Sequence, residues 1–317
     1  MATPQLRPLG IGEILDVSLK IAWRNAGTLI RIVLFVVAPA QALAALVQVS
    51  ANPDFTASDT IFGSPFEGRD TTDTATWTAG AGFLVATLLG FVAGQLATGA
   101  CFKAVAQAYL GEKPSWRDSL GFALRRFHSI LWIVIFGGFL TILGFVLLIA
   151  PGVYLAVSFA VALPVLMTEG LRGRRALGRS RWLVKGRWWK TLLLLVVAGL
   201  LASIVGGVIS GALTGLVVVT PDSPVVLFLV SAVAATAGAL VTTPFSAAYH
   251  TVLYFDLRVR KEAFDLQLLA QNLGIEPSEG WVPPVSSVLP DRRPVGGDDQ
   301  PPFWPPPPDW RPRSGSD

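Results

Sequence analysis

Five long stretches of this chain contain no Asp, Glu, Lys or Arg, and they constrain its fold more than any other feature. They are residues 32–53, 74–102, 127–168, 191–221 and 223–255, with lengths of 22, 29, 42, 31 and 33 residues. A helix that crosses the hydrocarbon of a bilayer needs about 20 apolar residues. Only 15% of the chain is charged, against about 25% in soluble domains. The sequence therefore predicts an all-α, polytopic membrane protein.

The 42-residue stretch decides the number of spans. As one helix it would be about 63 Å long, about twice the thickness of the hydrocarbon layer. Pro151 and Gly152 lie past its middle, and proline removes a hydrogen bond from a helix interior. We predict two helices, 129–149 and 153–168, joined by a tight turn. With the other four stretches, this gives six transmembrane helices.

The positive charges predict the orientation of these spans. With the N-terminus inside, the inner segments are 1–31, 102–128, 169–190 and 255–317, and they hold 24 of the 25 Lys and Arg residues. This distribution is a strong positive-inside pattern and places both termini in the cytoplasm. A cleavable signal ending near Ala42 is the rival interpretation. About 30 residues precede the first apolar run, however, which is unlike the short start of a signal peptide.

Each predicted pair of spans is preceded by an amphipathic stretch on the inner side, with apolar residues at i, i+3, i+4 and i+7. We predict three amphipathic interfacial helices on the cytoplasmic side, each with its apolar face toward the headgroup layer. The alternative is that these stretches are ordinary anchors at the membrane edge. The apolar faces consist of Ile11, Ile14, Leu15, Ser18 and Ala22; Trp116, Leu120, Ala123, Leu124 and Phe127; and Ala176, Leu177, Ser180, Leu183 and Val184.

The third stretch carries a dense group of basic residues that we interpret as candidates for binding anionic lipid headgroups. Each basic residue near an anionic leaflet contributes about 1 kcal/mol. The alternative is that these charges only set the topology during insertion. The candidates are Arg172, Arg174, Arg175, Arg179, Arg181, Lys185, Arg187 and Lys190.

Small residues recur every four positions in two of the spans, a spacing that lets helix backbones approach closely. Such stripes pack helices within one chain or between copies of the chain in a homo-oligomer, and the sequence leaves both interpretations open. The helix-packing candidates are Gly199, Ser203, Gly207, Gly211 and Gly215 in one span, with Gly90 and Gly94 in the other.

The C-terminal segment has a different composition from the rest. We divide the chain into a membrane domain, 1–272, and a Pro-rich cytoplasmic tail, 273–317, which we expect to be disordered. The tail either improves solubility or docks a cytosolic or membrane protein partner, with Trp304 and Trp310 as anchors.

No catalytic constellation is visible in the sequence. The two histidines, His128 and His250, do not have the spacing of metal ligands, and no phosphate-binding loop is present. We therefore expect no enzyme activity, no cofactor, no metal and no nucleic-acid partner. A cavity lined by Gln41 or Gln95 would instead favour transport of a solute.

Four segments carry a resemblance to a known family. They are Pro8-Leu9-Gly10-Ile11-Gly12-Glu13-Ile14-Leu15-Asp16, Leu148-Ile149-Ala150-Pro151-Gly152-Val153-Tyr154, Ser180-Arg181-Trp182-Leu183-Val184-Lys185-Gly186-Arg187-Trp188-Trp189 and Tyr254-Phe255-Asp256-Leu257-Arg258-Val259-Arg260-Lys261-Glu262-Ala263-Phe264-Asp265. Over about residues 5–272 the chain resembles the membrane domain of bacterial glycerophosphoryl diester phosphodiesterases. The resemblance implies a six-helix module of the bacterial cytoplasmic (inner) membrane. In the fused enzymes, catalysis belongs to a separate soluble domain that this chain lacks.

Two functions follow as expectations. The first is a non-enzymatic integral membrane module that scaffolds or recruits partners and lipids at its cytoplasmic face. The alternative is a transporter or channel for a small or lipidic solute. A solidly packed bundle favours the first function, and a cavity that reaches the middle of the membrane favours the second.

Overall fold

The structure, a computed structural model, describes residues 9–51, 74–215 and 223–262, and within these ranges it is helical with no strands. The predicted outer loop 54–73, which holds Asp54, Asp59, Glu67, Asp70 and Asp73, and the Pro-rich tail 273–317 lie outside the described residues. The helices are α1 (Ile11–Arg24), α2 (Ala26–Ala51), α3 (Thr74–Tyr109), α4 (Trp116–Arg125), α5 (Phe127–Leu147), α6 (Ile149–Phe159), α7 (Ala162–Glu169), α8 (Arg174–Val184), α9 (Trp188–Gly215) and α10 (Pro224–Glu262).

Six helical segments are long and apolar enough to cross a membrane, which confirms the predicted number of spans. Four of them are α2, α5, α9 and a segment formed by α6 together with α7. The other two are most of α3 and most of α10. Their bounds are Ala26–Ala51, Trp77–Tyr109, Phe127–Leu147, Ile149–Glu169, Trp188–Gly215 and Val225–Glu262.

The third and fourth spans are joined by a single residue. Leu148 is extended, with φ −164° and ψ 152°, between the end of α5 and the start of α6. Pro151 therefore lies in the first turn of α6, where its missing N–H costs no hydrogen bond. A Cβ on Gly144 would lie only 3.0 Å from the backbone of Gly152, so the tight turn depends on glycine. The fourth span starts at Ile149 rather than at 153 because the proline begins this helix instead of interrupting it.

The last span organises the rest of the bundle. Helices α2, α3 and α10 pack together, α9 packs along α10, and α5 with α6 forms a hairpin beside them. At 39 residues, α10 is about 58 Å long, so one end extends beyond the hydrocarbon layer. The short helices α1 and α8 pack on α10, and α4 packs on α3. We call this part of the molecule, comprising α1, α4, α7, α8 and the adjoining ends of α3 and α10, the cap.

The three amphipathic stretches form helices α1, α4 and α8, as expected. Helix α4 begins at Ser115, whose hydroxyl accepts a hydrogen bond from the backbone N–H of Asp118 at 3.5 Å. Their apolar faces, however, contribute to the protein's own core: Ile14, Ala176 and Leu183 are fully buried. Helix α1 packs on α10, and α8 packs on α6, α7 and α10. The position of the three helices in the headgroup layer stays a prediction. The apolar side chains left exposed on these helices are Leu19, Trp23, Leu124 and Trp182.

The predicted glycine stripe of α9 is not the surface that packs on α10. Gly199, Gly207, Gly211 and Gly215 face open space, and Ser203 is exposed. The close approach is made by Gly206, where a Cβ would collide with Thr242, and by Gly238, where it would collide with Ser210. The contact surface is rotated by one residue, about 100° around the helix, from the predicted stripe. Contact between copies of the chain through that stripe stays a prediction.

The second stripe, in α3, has only a loose neighbour. A Cβ on Gly90 would lie 3.5 Å from the Nε2 atom of Gln41, which is an ordinary contact, and Gly94 has nothing within 4 Å. The tight contact between α2 and α3 is instead at Gly82, where a Cβ would collide with Ala51.

Candidate functional site

The cap contains a buried cluster of charges that joins three helices. Glu169 ends α7, Arg179 lies on α8, and Tyr254, Arg258 and Glu262 follow one another at four-residue intervals on α10. We call these five residues the glutamate cluster. The side chains of Glu169, Arg258 and Glu262 are at most 2% exposed.

Direct contacts satisfy the charges of the glutamate cluster. Arg179 donates to Glu169 at 2.9 Å and also forms an ion pair with Glu262. Arg258 donates to Glu262 at 3.0 Å and to the hydroxyl of Tyr254 at 3.1 Å. That hydroxyl in turn donates to Glu169 at 2.8 Å. Two guanidinium groups thus balance two carboxylates away from water.

The position of Arg179 has a consequence for its ionisation. Burial by itself would lower the pKa of Arg179, but the hydrogen bond to Glu169 and the charges of Glu169 and Glu262 together raise that pKa. Removing either carboxylate would leave a charge that is buried and uncompensated, which is costly. The glutamate cluster therefore joins α7, α8 and α10 within the cap through buried ionic contacts.

A second group of contacts holds the start of the described chain. Both oxygens of the Asp256 side chain accept hydrogen bonds from Arg260, at 2.9 and 3.0 Å, and Lys190 lies 3.2 Å from one of them. The backbone N–H of Leu9 donates to the same carboxylate at 2.8 Å. The carbonyl of Leu9 accepts from Lys190 at 2.6 Å and from Arg260 at 2.8 Å. We call these four residues the aspartate clamp.

The clamp joins parts of the chain that are far apart in sequence. It connects Leu9, which lies two residues before α1, with the first turn of α9 and the end of α10. Leu9 and Asp256, which are hydrogen-bonded, are 247 positions apart in the sequence. The sequence analysis did not identify Glu169, Asp256 or Arg258 as site residues. The i,i+4 spacing of Asp256 and Arg260, and of Arg258 and Glu262, was the signal that could have indicated pairing on one helix.

The structure separates the eight candidates for headgroup binding into two groups. Arg179 and Lys190 are only partly exposed, and the glutamate cluster and the aspartate clamp engage them. The other six lie on the exposed surface of α8 and its flanking residues, and they are Arg172, Arg174, Arg175, Arg181, Lys185 and Arg187. Two of these contact aromatic rings: Arg174 lies 5.6 Å from the ring of Phe136, and Arg181 lies 5.7 Å from that of Tyr154.

A cavity of about 560 Å³ lies between α2, α3 and α10, at the end of the bundle away from the cap. Gln41 and Gln48, seven residues apart on α2, lie on its wall, together with Thr87 and Ser231. Gln95 does not line this cavity. Because most of the wall is apolar, the cavity has the character of a site for an amphipathic molecule.

A second cavity, of about 420 Å³, is almost wholly apolar. It lies next to the cap between α1, α2, α9 and α10, with Leu19 and Trp23 on one side and Pro244 and Phe245 on the other. Pro244 lies inside α10, where it removes one backbone hydrogen bond of that helix. In the part of the chain that the structure describes, no group of three His, Cys, Asp or Glu side chains could hold a metal ion.

Fold and site together define an integral membrane protein of six spans with a charged, ion-paired cap at one end. The chain belongs to a family defined by the membrane domain of glycerophosphoryl diester phosphodiesterase, whose model matches residues 127–287. The matched part runs from α5 through α10 and includes three of the four resembling segments. No curated protein and no solved structure matches the chain.

Three of the four resembling segments lie within or directly next to the aspartate clamp. Lys190 follows directly after the segment that ends at Trp189, and Asp256 and Arg260 belong to the last one. Leu9 belongs to the first segment, which lies outside the matched range but is held by the clamp. The first and last resembling segments thus contribute Leu9, Asp256 and Arg260 to the aspartate clamp.

Proposed function

We propose that this protein is a non-enzymatic module of the bacterial cytoplasmic (inner) membrane, with both termini in the cytoplasm. In this proposal the cap faces the cytoplasm, contacts anionic lipid headgroups through its exposed basic residues and recruits partners there. The observation that supports it best is the separation of the basic residues of 172–190 into two that hold the cap together and six that remain exposed.

The charge distribution supports the orientation. The described chain ends, at Leu9 and Glu262, both lie in the cap, and so do most of the basic residues of the inner segments. A basic surface next to the anionic inner leaflet gains about 1 kcal/mol per Lys or Arg. Six such residues are enough to enrich anionic lipids around the cap while leaving the ionic contacts of the core intact.

Lipid analysis of the protein in polymer discs cut directly from native membranes tests the headgroup function. We expect anionic lipids to be enriched over the bulk membrane, and we expect the fourfold variant Arg174→Gln, Arg175→Gln, Arg181→Gln, Lys185→Gln to lose most of that enrichment. The matched control removes four charges from the tail, at Arg292, Arg293, Arg311 and Arg313. Equal lipid composition around the wild type and the fourfold variant would contradict the proposal.

The non-enzymatic part of the proposal is supported by the matched family, which is the membrane domain rather than a catalytic domain. The purified protein should release no glycerol phosphate from glycerophosphodiesters with Mg²⁺, Mn²⁺, Ca²⁺ or Zn²⁺ present. Metal-dependent release that a single substitution abolishes would overturn this part.

The cavity between α2, α3 and α10 favours a second candidate function, the binding or transport of a small or lipidic solute. Its wall combines apolar residues with the amide side chains of Gln41 and Gln48, and its volume suits part of an amphipathic molecule. In reconstituted vesicles, Gln41→Leu should then slow the movement of a fluorescent lipid between leaflets, whereas Gln95→Leu, outside the cavity, should not. Equal rates for protein-containing and protein-free vesicles would contradict transport of this lipid.

A further inference from the structure

Two cations of the cap share one aromatic ring. The ammonium nitrogen of Lys103, near the end of α3, lies 4.9 Å from the centre of the Phe122 ring. The guanidinium carbon of Arg126, between α4 and α5, lies 4.5 Å from the same centre. Lys103, Phe122 and Arg126 are all partly buried. The ring therefore holds two like charges close together on a surface that is only half open to water.

Arg126 is fixed in this position by its surroundings. Its Nη1 atom donates to the carbonyl of Leu166 at 3.2 Å. Gly170 has a φ of +72°, and a Cβ there would lie 2.9 Å from the same Nη1 atom, so a larger residue would displace the guanidinium. The side chain is thus held in a defined place rather than sampling solvent.

A third cation adds to the repulsion. Burial first, and then the positive charge of Arg172, lower the pKa of Arg126. Arg172 itself is exposed in the linker between α7 and α8. Lys103 on α3 and the two connections that hold Arg126 and Arg172 thus contribute three positive charges, and α5, whose N-terminus carries a partial positive charge, begins at the residue after Arg126.

No carboxylate neutralises this group directly. Among the described residues, no Asp or Glu forms an ion pair within 4.0 Å of Lys103, Arg126 or Arg172. Glu112 acts on Lys103 only through space and is exposed to solvent. The contrast with the glutamate cluster is clear, because there each buried cation has a carboxylate partner. Cation–π contact with Phe122 is a weak attraction at a partly exposed site and does not remove the repulsion.

We propose that Lys103, Arg126 and Arg172 form a binding site for one phosphate group on the cap, between the ends of α3, α4 and α7. A phosphate presents several acceptor oxygens to guanidinium and ammonium donors, and such charge-assisted hydrogen bonds are stronger than neutral ones. The phosphate comes from the headgroup of an anionic lipid or from a free phosphate. This site rests on the proposed function only in that the cap faces the anionic leaflet.

The site differs from the exposed basic surface of α8 in its geometry. The surface residues each contribute to a diffuse potential, so the removal of any one of them has a similar small effect. In a discrete site, the three cations converge on one anion, and the loss of one of them removes a direct contact. A charge-assisted contact of this kind corresponds to about a tenfold change in affinity.

Native mass spectrometry of the full-length protein in detergent tests the site with two probes, short-chain phosphatidylglycerol and inorganic phosphate. We expect one tightly bound phosphatidylglycerol, and we expect Arg172→Gln and Lys103→Gln each to weaken it about tenfold. Lys113→Gln is the matched control, since Lys113 is also exposed and lies outside the proposed headgroup surface, and it should change the affinity less than twofold. Arg126→Gln is avoided because it also removes the contact with Leu166.

The two probes separate the sources of the phosphate. If inorganic phosphate binds with the same dependence on Arg172 and Lys103, the site takes a free phosphate. If only the lipid binds, it takes a headgroup. Equal weakening by Arg172→Gln and Lys113→Gln would overturn the site while leaving the diffuse headgroup function intact. If anionic lipids are not enriched around the protein and inorganic phosphate still binds through Arg172, the proposed function fails and the site stands.

Discussion

Arg179 and Glu169 form a bidentate ion pair, in which Nε and Nη2 of the guanidinium donate to the two carboxylate oxygens at 2.9 and 3.1 Å. Glu169 closes the fourth span, and Arg179 lies in the middle of the amphipathic helix that follows it. The pair fixes α8 against the bundle through charge as well as through apolar burial. It also means that one of the most basic stretches of the chain is partly neutralised by the protein itself.

Loss of Glu169 should destabilise the protein strongly. Glu169→Gln leaves Arg179 and Arg258 with a single carboxylate, Glu262, and buried charges without a partner cost about 3 kcal/mol. Unfolding by denaturant in mixed micelles measures this free energy. Arg175→Gln is the control, since this exposed residue of the same helix should change stability by less than about 0.5 kcal/mol. If Glu169→Gln lowered the free energy of unfolding no more than the control does, the glutamate cluster would not stabilise the cap.

Loss of Asp256 should release the start of the chain. Asp256→Asn weakens the contacts with Lys190 and Arg260 and with the backbone N–H of Leu9, so α1 should detach more often. Hydrogen–deuterium exchange should then become faster across residues 9–24. Asp16→Asn, which breaks only the exposed pair with Lys20, should leave this exchange unchanged. Unaltered protection of residues 9–24 in Asp256→Asn would count against the clamp.

Two neighbouring glycines of α9 should respond oppositely to alanine. Gly206→Ala introduces a Cβ that collides with Thr242, and overpacking of this kind costs about 1–3 kcal/mol. Gly207→Ala meets open space and should be neutral or slightly stabilising, since alanine favours the helix. Unfolding in mixed micelles compares the two. Similar costs at both positions would mean that the outward stripe also packs, and cross-linking of copies would then identify the partner surface.

Cysteine labelling in intact cells and in inverted vesicles tests the orientation. The single native cysteine, Cys101, is buried and can be replaced, so labelling reports only the introduced thiol. Gly178 is exposed, with nothing within 4 Å of a Cβ, and Gly178→Cys should be labelled only from the cytoplasmic side. Asp59→Cys, in the predicted outer loop, should be labelled only from outside. The reverse pattern would invert the topology and remove the basis of the headgroup function.

The number of spans and the presence of helices at the amphipathic stretches could be predicted from the sequence. Both depend on local properties: the length of an apolar run must match the thickness of the bilayer, and a face repeats every 3.6 residues. The break between the third and fourth spans could also be predicted from the sequence, because proline favours the first turn of a helix and Pro151 lies within the 42-residue stretch. The predicted start of that span was displaced by four residues, since the proline's position within the new helix depends on the turn at Leu148.

Which residues of these helices are in contact depends on the tertiary structure and could not be predicted from the sequence. Whether Gly206 or Gly207 faces α10 depends on the rotation of α9 about its axis, which the equal spacing of small residues does not reveal. Whether a basic residue is exposed or paired depends on partners far along the chain, as Lys190 with Asp256 and Arg179 with Glu262 demonstrate. Ile14 of α1 and Leu183 of α8 are likewise buried in the protein's own core, because α1 packs on α10 and α8 packs on α6, α7 and α10. The local sequence pattern determines which residues lie on each face of a helix. Packing between segments that are distant in sequence determines which of these faces are in contact.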